Sequence, residues 1–152
     1  MKSLVVFYSR TNVTKKLAED IASKIDADVE EIIPKVNYQG KMGYVRGGKD
    51  AIQEKVIDLD PLRYDPQVYD VVYLGCPVWA SRPATPLVSY IKQNEGKFSN
   101  VKFFITAGGT GHDSTLEHME KHLSLKPLST LALTTKEVKK NLYDDKLTEF
   151  LK

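Results

Sequence analysis

Three short segments of this chain hold the residue types that could do chemistry. The first is Ser9-Arg10-Thr11-Asn12-Val13-Thr14, with three hydroxyls and one guanidinium in six residues. It follows an apolar run, Leu4–Tyr8, and leads into a helical pattern that begins at Val13. A helix N-terminus presents backbone N–H groups that lack intrahelical acceptors, and its dipole favours an anion. Hydroxyls and a guanidinium add further donors. The chemistry predicted for these six residues is phosphate binding.

The second segment runs from Gly75 to Pro86 and contains the only tryptophan, Trp79. Pro77, Pro83 and Pro86 restrict the backbone and stiffen it at low entropic cost. The small and polar neighbours Ala80, Ser81 and Arg82 predict a partly exposed indole, suited to stacking on a flat aromatic ligand. Pro77, Val78, Ala80 and Ser81 then flank that ligand. The third segment, Ala107-Gly108-Gly109-Thr110-Gly111-His112, has three glycines within four residues. Such a backbone can approach a ligand closely and offer N–H and C=O groups to the edge of a heteroaromatic ring. His112 is expected beside that ring.

Elements must bring these segments together. Five apolar runs, Leu4–Tyr8, Val29–Ile33, Val71–Gly75, Val101–Thr106 and Leu128–Leu133, alternate with helix-like stretches. Most are apolar throughout, as strands buried on both faces of a parallel sheet require. From Val13 to Ile25 the residues Leu17, Ala18, Ile21, Ala22 and Ile25 follow helical spacing. Asp50 is expected to cap a helix containing Ala51, Ile52 and Val56, and Pro86 to open one that turns Leu87, Val88, Tyr90 and Ile91 inward. Asp113 or Ser114 caps the next, and a last helix lies near Tyr143–Leu151. The expected fold is α/β, doubly wound, with a five-stranded parallel sheet of order 2-1-3-4-5 and helices on both faces. Ligands in such sheets sit outside the carboxyl ends of the strands, where all three segments fall.

The composition is that of an ordinary soluble domain: 152 residues, 41% hydrophobic, 28% charged, net charge +2 from 22 basic and 20 acidic side chains. That balance gives no indication of nucleic-acid binding. There is no apolar run long enough to span a membrane and no signal-peptide core, so a cytoplasmic location is expected. Cys76 stands alone, which excludes an internal disulfide and reads as a packing residue. Between Pro34 and Lys55 five basic residues face two acidic ones, either a solvated face or a docking surface for an anionic partner.

The segments also resemble a known family. Ser9, Arg10, Thr11 and Thr14 match the flavodoxin phosphate motif, which has glycine where Asn12 stands and asparagine where Val13 stands. Asn12 tolerates a left-handed backbone, and Val13 keeps its N–H. The stretch from Pro77 to Pro86 is similar to the flavin-stacking loop of short-chain flavodoxin-like proteins, and Thr106–Gly111 to their third flavin loop. Gly43–Ala51 also resembles a segment of that subfamily. The resemblance spans the whole chain. It implies one flavodoxin-like domain over residues 1–152 that holds FMN noncovalently. The phosphate would lie at Ser9–Thr14 and the ring between the Trp79 loop and Gly108–His112. It implies a monomer or homodimer passing electrons from a reductase to an acceptor protein. The alternative is an FMN-dependent NAD(P)H oxidoreductase acting on quinones or another small acceptor, since flavodoxins are usually acidic and this chain has a pI of 8.5. A third reading is a non-redox interaction module on the same fold. The resemblance also places Ala80 where flavodoxins favour glycine, and a positive φ there costs about 1 kcal/mol or more.

Other signals point elsewhere and are weak. Gly43–Asp50 nearly matches a nucleotide-binding P-loop but ends in Asp where Ser or Thr is needed. His118 and His122 are four apart without a third clustered ligand, and no metal is expected. A Gly-x-Ser-x-Gly nucleophile elbow is missing, and no aspartate ends strand one or strand three as a receiver domain requires.

Overall fold

The computed structural model describes every residue from Met1 to Lys152. Its centre is a parallel sheet of β1 (Ser3–Phe7), β2 (Asp28–Glu31), β3 (Val71–Trp79), β5 (Val101–Ala107) and β6 (Thr130–Thr134), in the order β2-β1-β3-β5-β6. This is the 2-1-3-4-5 arrangement expected from the sequence, with one addition. A two-residue strand, β4 (Arg82–Pro83), folds back antiparallel on the end of β3.

The strands are apolar throughout because the sheet is covered on both sides. Along β1 and the residue after it, Leu4, Val6 and Tyr8 join one buried cluster while Val5 and Phe7 join the other. The same period of two recurs in β3, where Val72, Leu74 and Cys76 face one side and Val71 and Tyr73 the other. Gly75 sits where a Cβ would come within 2.0 Å of the Phe104 ring. The missing side chain is what lets β3 and β5 pair there.

One face is covered by α1 (Val13–Ile25), α5 (Thr135–Lys139) and α6 (Asp144–Leu151). The other carries α2 (Gly40–Ile52), α3 (Thr85–Gln93) and α4 (His112–Leu123). Helix α1 has the bounds its apolar spacing predicts, and Pro86 lies in the first turn of α3 as expected. Two expectations are corrected, and one helix is added. Asp50 does not open a helix; it lies near the end of α2, its carboxylate accepting a hydrogen bond from the Tyr38 hydroxyl at 2.7 Å instead of capping free amides. Helix α4 is capped by Gly111 and not by Asp113 or Ser114. Helix α5 was not anticipated; Thr134 and Glu137 close a reciprocal capping box at its start.

No helix is long and apolar enough to cross a membrane.

Candidate functional site

The carboxyl ends of β1, β3 and β5 bring the three segments to one edge. Asn12 takes the left-handed conformation, φ 67°, and serves as N-cap of α1. That backbone turn, which glycine makes at no steric cost, survives with asparagine. The backbone N–H groups of Ser9, Arg10, Thr11 and Asn12 find no acceptor within the chain. Those of Val13 and Thr14, in the first turn of α1, have no partner four residues back in the helix. The result is a row of free donors on the positive end of a helix dipole.

The side chains of this loop are used differently from the sequence expectation. Ser9 Oγ accepts from the Lys15 amide at 3.1 Å, satisfying one first-turn donor. Thr14 is buried, its hydroxyl 2.9 Å from that of Thr106 at the end of β5, so it ties α1 to the sheet. Val13 is buried in the α1-side core, which explains an apolar residue at a position where only the N–H is needed outward. Arg10 is the clearest departure. Its Nε donates to the Tyr38 carbonyl and its Nη2 to the Gly40 carbonyl, both at 2.8 Å, and its guanidinium lies 5.5 Å from the Tyr44 ring. It fastens the β2–α2 connection to the first loop.

The second segment is not an open stacking loop. Strand β3 continues to Trp79, turns through Ala80 and Ser81, and pairs with β4, with Val78 opposite Pro83 and Trp79 opposite Arg82. Ala80 and Ser81 have φ of 50° and 62°. Two successive positive φ values are those of the hairpin turn whose twist matches the flanking strands, normally made by Asn-Gly. The strain foreseen for Ala80 is therefore already built into the hairpin.

Trp79 is only 8% exposed, contrary to the expected partial exposure. Its ring is edge-on to Tyr8 (5.4 Å between centroids) and Tyr38 (4.9 Å). Helix α2 closes over it at Gly47, where a Cβ would come within 3.2 Å of the indole. Gly43, one turn earlier, rests on the Tyr38 backbone, where a Cβ would lie 2.1 Å from the carbonyl carbon. The cover comes from a segment far away in sequence, so the polar neighbours of Trp79 misled. Burial holds the Tyr8 hydroxyl up at about 12, against the opposing charge of Arg10, and pushes that of Tyr38 up as well, helped by its bond to Asp50. Both phenols stay neutral donors. Cys76 is fully buried and its thiol is pushed up to about 12, in keeping with packing.

The third segment meets the second. Gly108, Gly109 and Thr110 are exposed, and Ala107 is buried at the strand end. Gly111, at φ 97°, lies against the hairpin so closely that a Cβ would come within 3.0 Å of Val78 Cγ1 and 3.1 Å of Ser81 Oγ. Pro77 and Val78 are half-buried beside it. His112 Nε2 is 3.2 Å from the Leu133 carbonyl, a contact that requires that nitrogen to donate and points the ring toward β6.

Sequence reasoning missed the β2–α2 connection. With the first loop it lines a cleft of about 500 Å³ that includes Ile32, Asn37, Tyr38 and Gln39, and Gln39 Nε2 donates to the Arg10 carbonyl at 3.1 Å. Clefts of similar volume lie at the end of α4 and beside β6, so volume does not single out the site; the free amides do. His118 Nδ1 is taken by the Ser114 carbonyl at 2.8 Å, and no group of three metal-ligating side chains converges anywhere.

No curated protein matches the chain. Among solved structures, a flavoprotein from Lactobacillus acidophilus NCFM, crystallised in complex with FMN, is 31% identical with a TM-score of 0.74, covering 91% of this chain and 97% of that one. The apo form of the flavoprotein from the same organism, solved by NMR, is 29% identical (TM-score 0.65; 91% and 95% covered). An NADH:FMN oxidoreductase in its apo form is 15% identical (TM-score 0.61; 99% and 85% covered), a likeness of fold alone. The family model described as flavodoxin matches residues 2–151, and with free amides at the first loop, the expected strand order and three loops meeting at one sheet edge, the chain belongs to the flavodoxin family.

Proposed function

We propose that this chain binds FMN noncovalently and carries electrons between a reductase and an acceptor protein. The observation that carries the reading is the row of unpaired N–H groups from Ser9 to Thr14 behind the left-handed Asn12. Neutral amides at a helix N-terminus fit a phosphate without a coordinating lysine or metal. When bound, the flavin supplies the redox chemistry. The chain's residues bind and orient it. The first-loop amides hold the phosphate. The peptides of Pro77–Ser81 and Ala107–His112 border the ring. Trp79, Tyr8 and Tyr38 form a rigid aromatic floor beneath the hairpin. Trp79 is thus a positioning residue in this reading.

A second reading, an FMN-dependent NAD(P)H oxidoreductase, is favoured by one observation: the charge balance is +2 with a pI of 8.5, unlike an acidic carrier surface.

FMN titration of the purified protein, followed by flavin fluorescence, tests the cofactor. A protein that neither carries nor quenches FMN overturns both readings. For the flavin-loaded protein, anaerobic addition of NADH or NADPH separates them. Rapid bleaching by the nicotinamide alone identifies a reductase. Bleaching that requires an added reductase identifies a carrier.

A further inference from the structure

Helix α2 has two opposed faces. Inward, Gly43, Gly47, Asp50 and Ala51 are buried on the Tyr38–Trp79 floor. Outward, the apolar Met42, Val45 and Ile52 recur at i, i+3 and i+10, a spacing that sets them on one stripe, with Lys49 at i+7 standing in the same stripe between Val45 and Ile52. They are 87%, 69% and 55% exposed. Exposed apolar residues gathered in a row, unlike scattered ones, mark interaction surfaces. Lys41 and Arg46 are exposed on the two flanks of that stripe, and Lys49 is exposed within it. The only acid in the helix, Asp50, is buried with its carboxylate on the Tyr38 hydroxyl. Of the two acidic residues between Pro34 and Lys55, only Glu54 therefore reaches the surface, against exposed Lys35, Lys41, Arg46, Lys49 and Lys55. The fold turns a mild sequence imbalance into a basic face that carries an apolar stripe.

That face adjoins the candidate site. Arg10, from the first loop, holds the start of α2 through the Tyr38 and Gly40 carbonyls and lies over the Tyr44 ring. A partner seated on the outer face of α2 would come nearest the first loop at the N-terminal end of the helix, where Arg10 holds it. We propose that this face, Met42, Val45 and Ile52 with Lys49 among them and Lys41 and Arg46 on the flanks, is the docking surface for a redox protein with an acidic patch that also carries apolar residues. The proposal rests on the electron-carrier reading. Opposite charge steers the encounter and the apolar stripe gives it dry contact, in a contact of the modest size typical of electron-transfer pairs. A nucleic acid or phosphate-rich partner would pair with the cations but leave the apolar row exposed to water.

Oxidised plant-type ferredoxin serves as the acidic probe and cytochrome c as the basic control, each added to isotope-labelled full-length protein while amide NMR shifts are recorded. The expected result is shifts confined to Lys41–Gln53 with ferredoxin, weakening as salt shortens the screening length from about 30 to about 8 Å, and none with cytochrome c. The variant K41E/R46E/K49E, all at exposed positions, should lose at least about tenfold in ferredoxin affinity at low salt with its spectrum still dispersed. Shifts on another surface, or unchanged affinity in the variant, overturn the proposal. The shift map of the unaltered protein decides the matter even if the variant folds poorly. An FMN titration runs alongside. Ferredoxin docking on α2 in a protein that does not bind FMN would sink the carrier reading and leave the surface standing. FMN binding without α2 docking does the reverse.

Discussion

Replacing Trp79 with alanine distinguishes a tryptophan that supports the site from one that touches the ligand. The side chain is 8% exposed and packs edge-on to Tyr8 and Tyr38, with α2 closing over it at Gly47. Truncating a buried tryptophan costs about 3–5 kcal/mol. The two aromatic contacts account for about 0.5–1.5 kcal/mol each of that loss. Set against a total stability of about 5–15 kcal/mol, the variant folds but is visibly weakened. Its melting temperature should fall by roughly 2–4 °C for each kcal/mol lost. Urea unfolding of the FMN-free protein, followed by far-ultraviolet circular dichroism, measures this without relying on the lost indole fluorescence. Trp79→Phe should recover a good part of the loss, because a phenyl ring still meets Tyr8 and Tyr38. The reasoning is wrong if Trp79→Ala costs less than about 1 kcal/mol without FMN while FMN affinity collapses. That pattern belongs to an exposed stacking residue.

Gly111→Ala should cost about 1–2 kcal/mol for the left-handed backbone, with a further penalty of about 1–3 kcal/mol for crowding Val78 and Ser81. By prying the third loop off the hairpin it should weaken FMN, which calorimetric titration would report; an unchanged affinity would detach this contact from the site. At Asn12, φ 67° predicts that glycine is tolerated to within about 1 kcal/mol whereas valine costs about 1–2 kcal/mol, with FMN affinity following the same order. Equal affinities would show that the turn does not shape the phosphate loop. Glu137 is held below its ordinary value of 4.5 by the Lys146 ammonium, 2.7 Å away, and by the Thr134 amide. The unfolded chain takes up this proton first as pH falls, so the stabilisation is complete above 4.5 and is lost as pH drops through the folded value. Thermal melts at descending pH should show a component that Glu137→Gln removes, and identical pH profiles for the two proteins would contradict it.

Much of the fold was legible because its signals are local. The alternation of Leu4, Val6 and Tyr8 with Val5 and Phe7 places apolar groups on both faces, which only a covered parallel strand needs. Helix α1 was bounded by its own apolar spacing. Helix α2 was hidden because glycine disfavours a helix by about 1 kcal/mol. Gly43 and Gly47 are there because Tyr38 and Trp79 leave no room for a side chain, a constraint set by residues elsewhere in the chain. The β3–β4 hairpin was hidden for a related reason: Ala80-Ser81 carries none of the Asn-Gly chemistry that marks such turns, and tertiary contacts enforce its φ values. The start of α5 was different. Thr134 and Glu137 have the capping-box spacing, so that signal is present in the sequence itself.

At the candidate site, the residue types lead to the expectation of a phosphate held by side chains as well as amides, but the structure divides the work between them in another way. Arg10, the one cation in the first loop, points to the carbonyls of Tyr38 and Gly40, and Thr14 points to Thr106. Charge and hydroxyls are spent on holding elements together, and in the proposed site a phosphate would be left to the backbone. A phosphate site built from amides depends on where the chain turns more than on which side chains line it. That is why valine can stand at position 13: its side chain fills the core behind α1 while its N–H stays at the helix start. It is also why Asn12 matters more than its side-chain donor would indicate, since a left-handed residue there aims the whole row of amides.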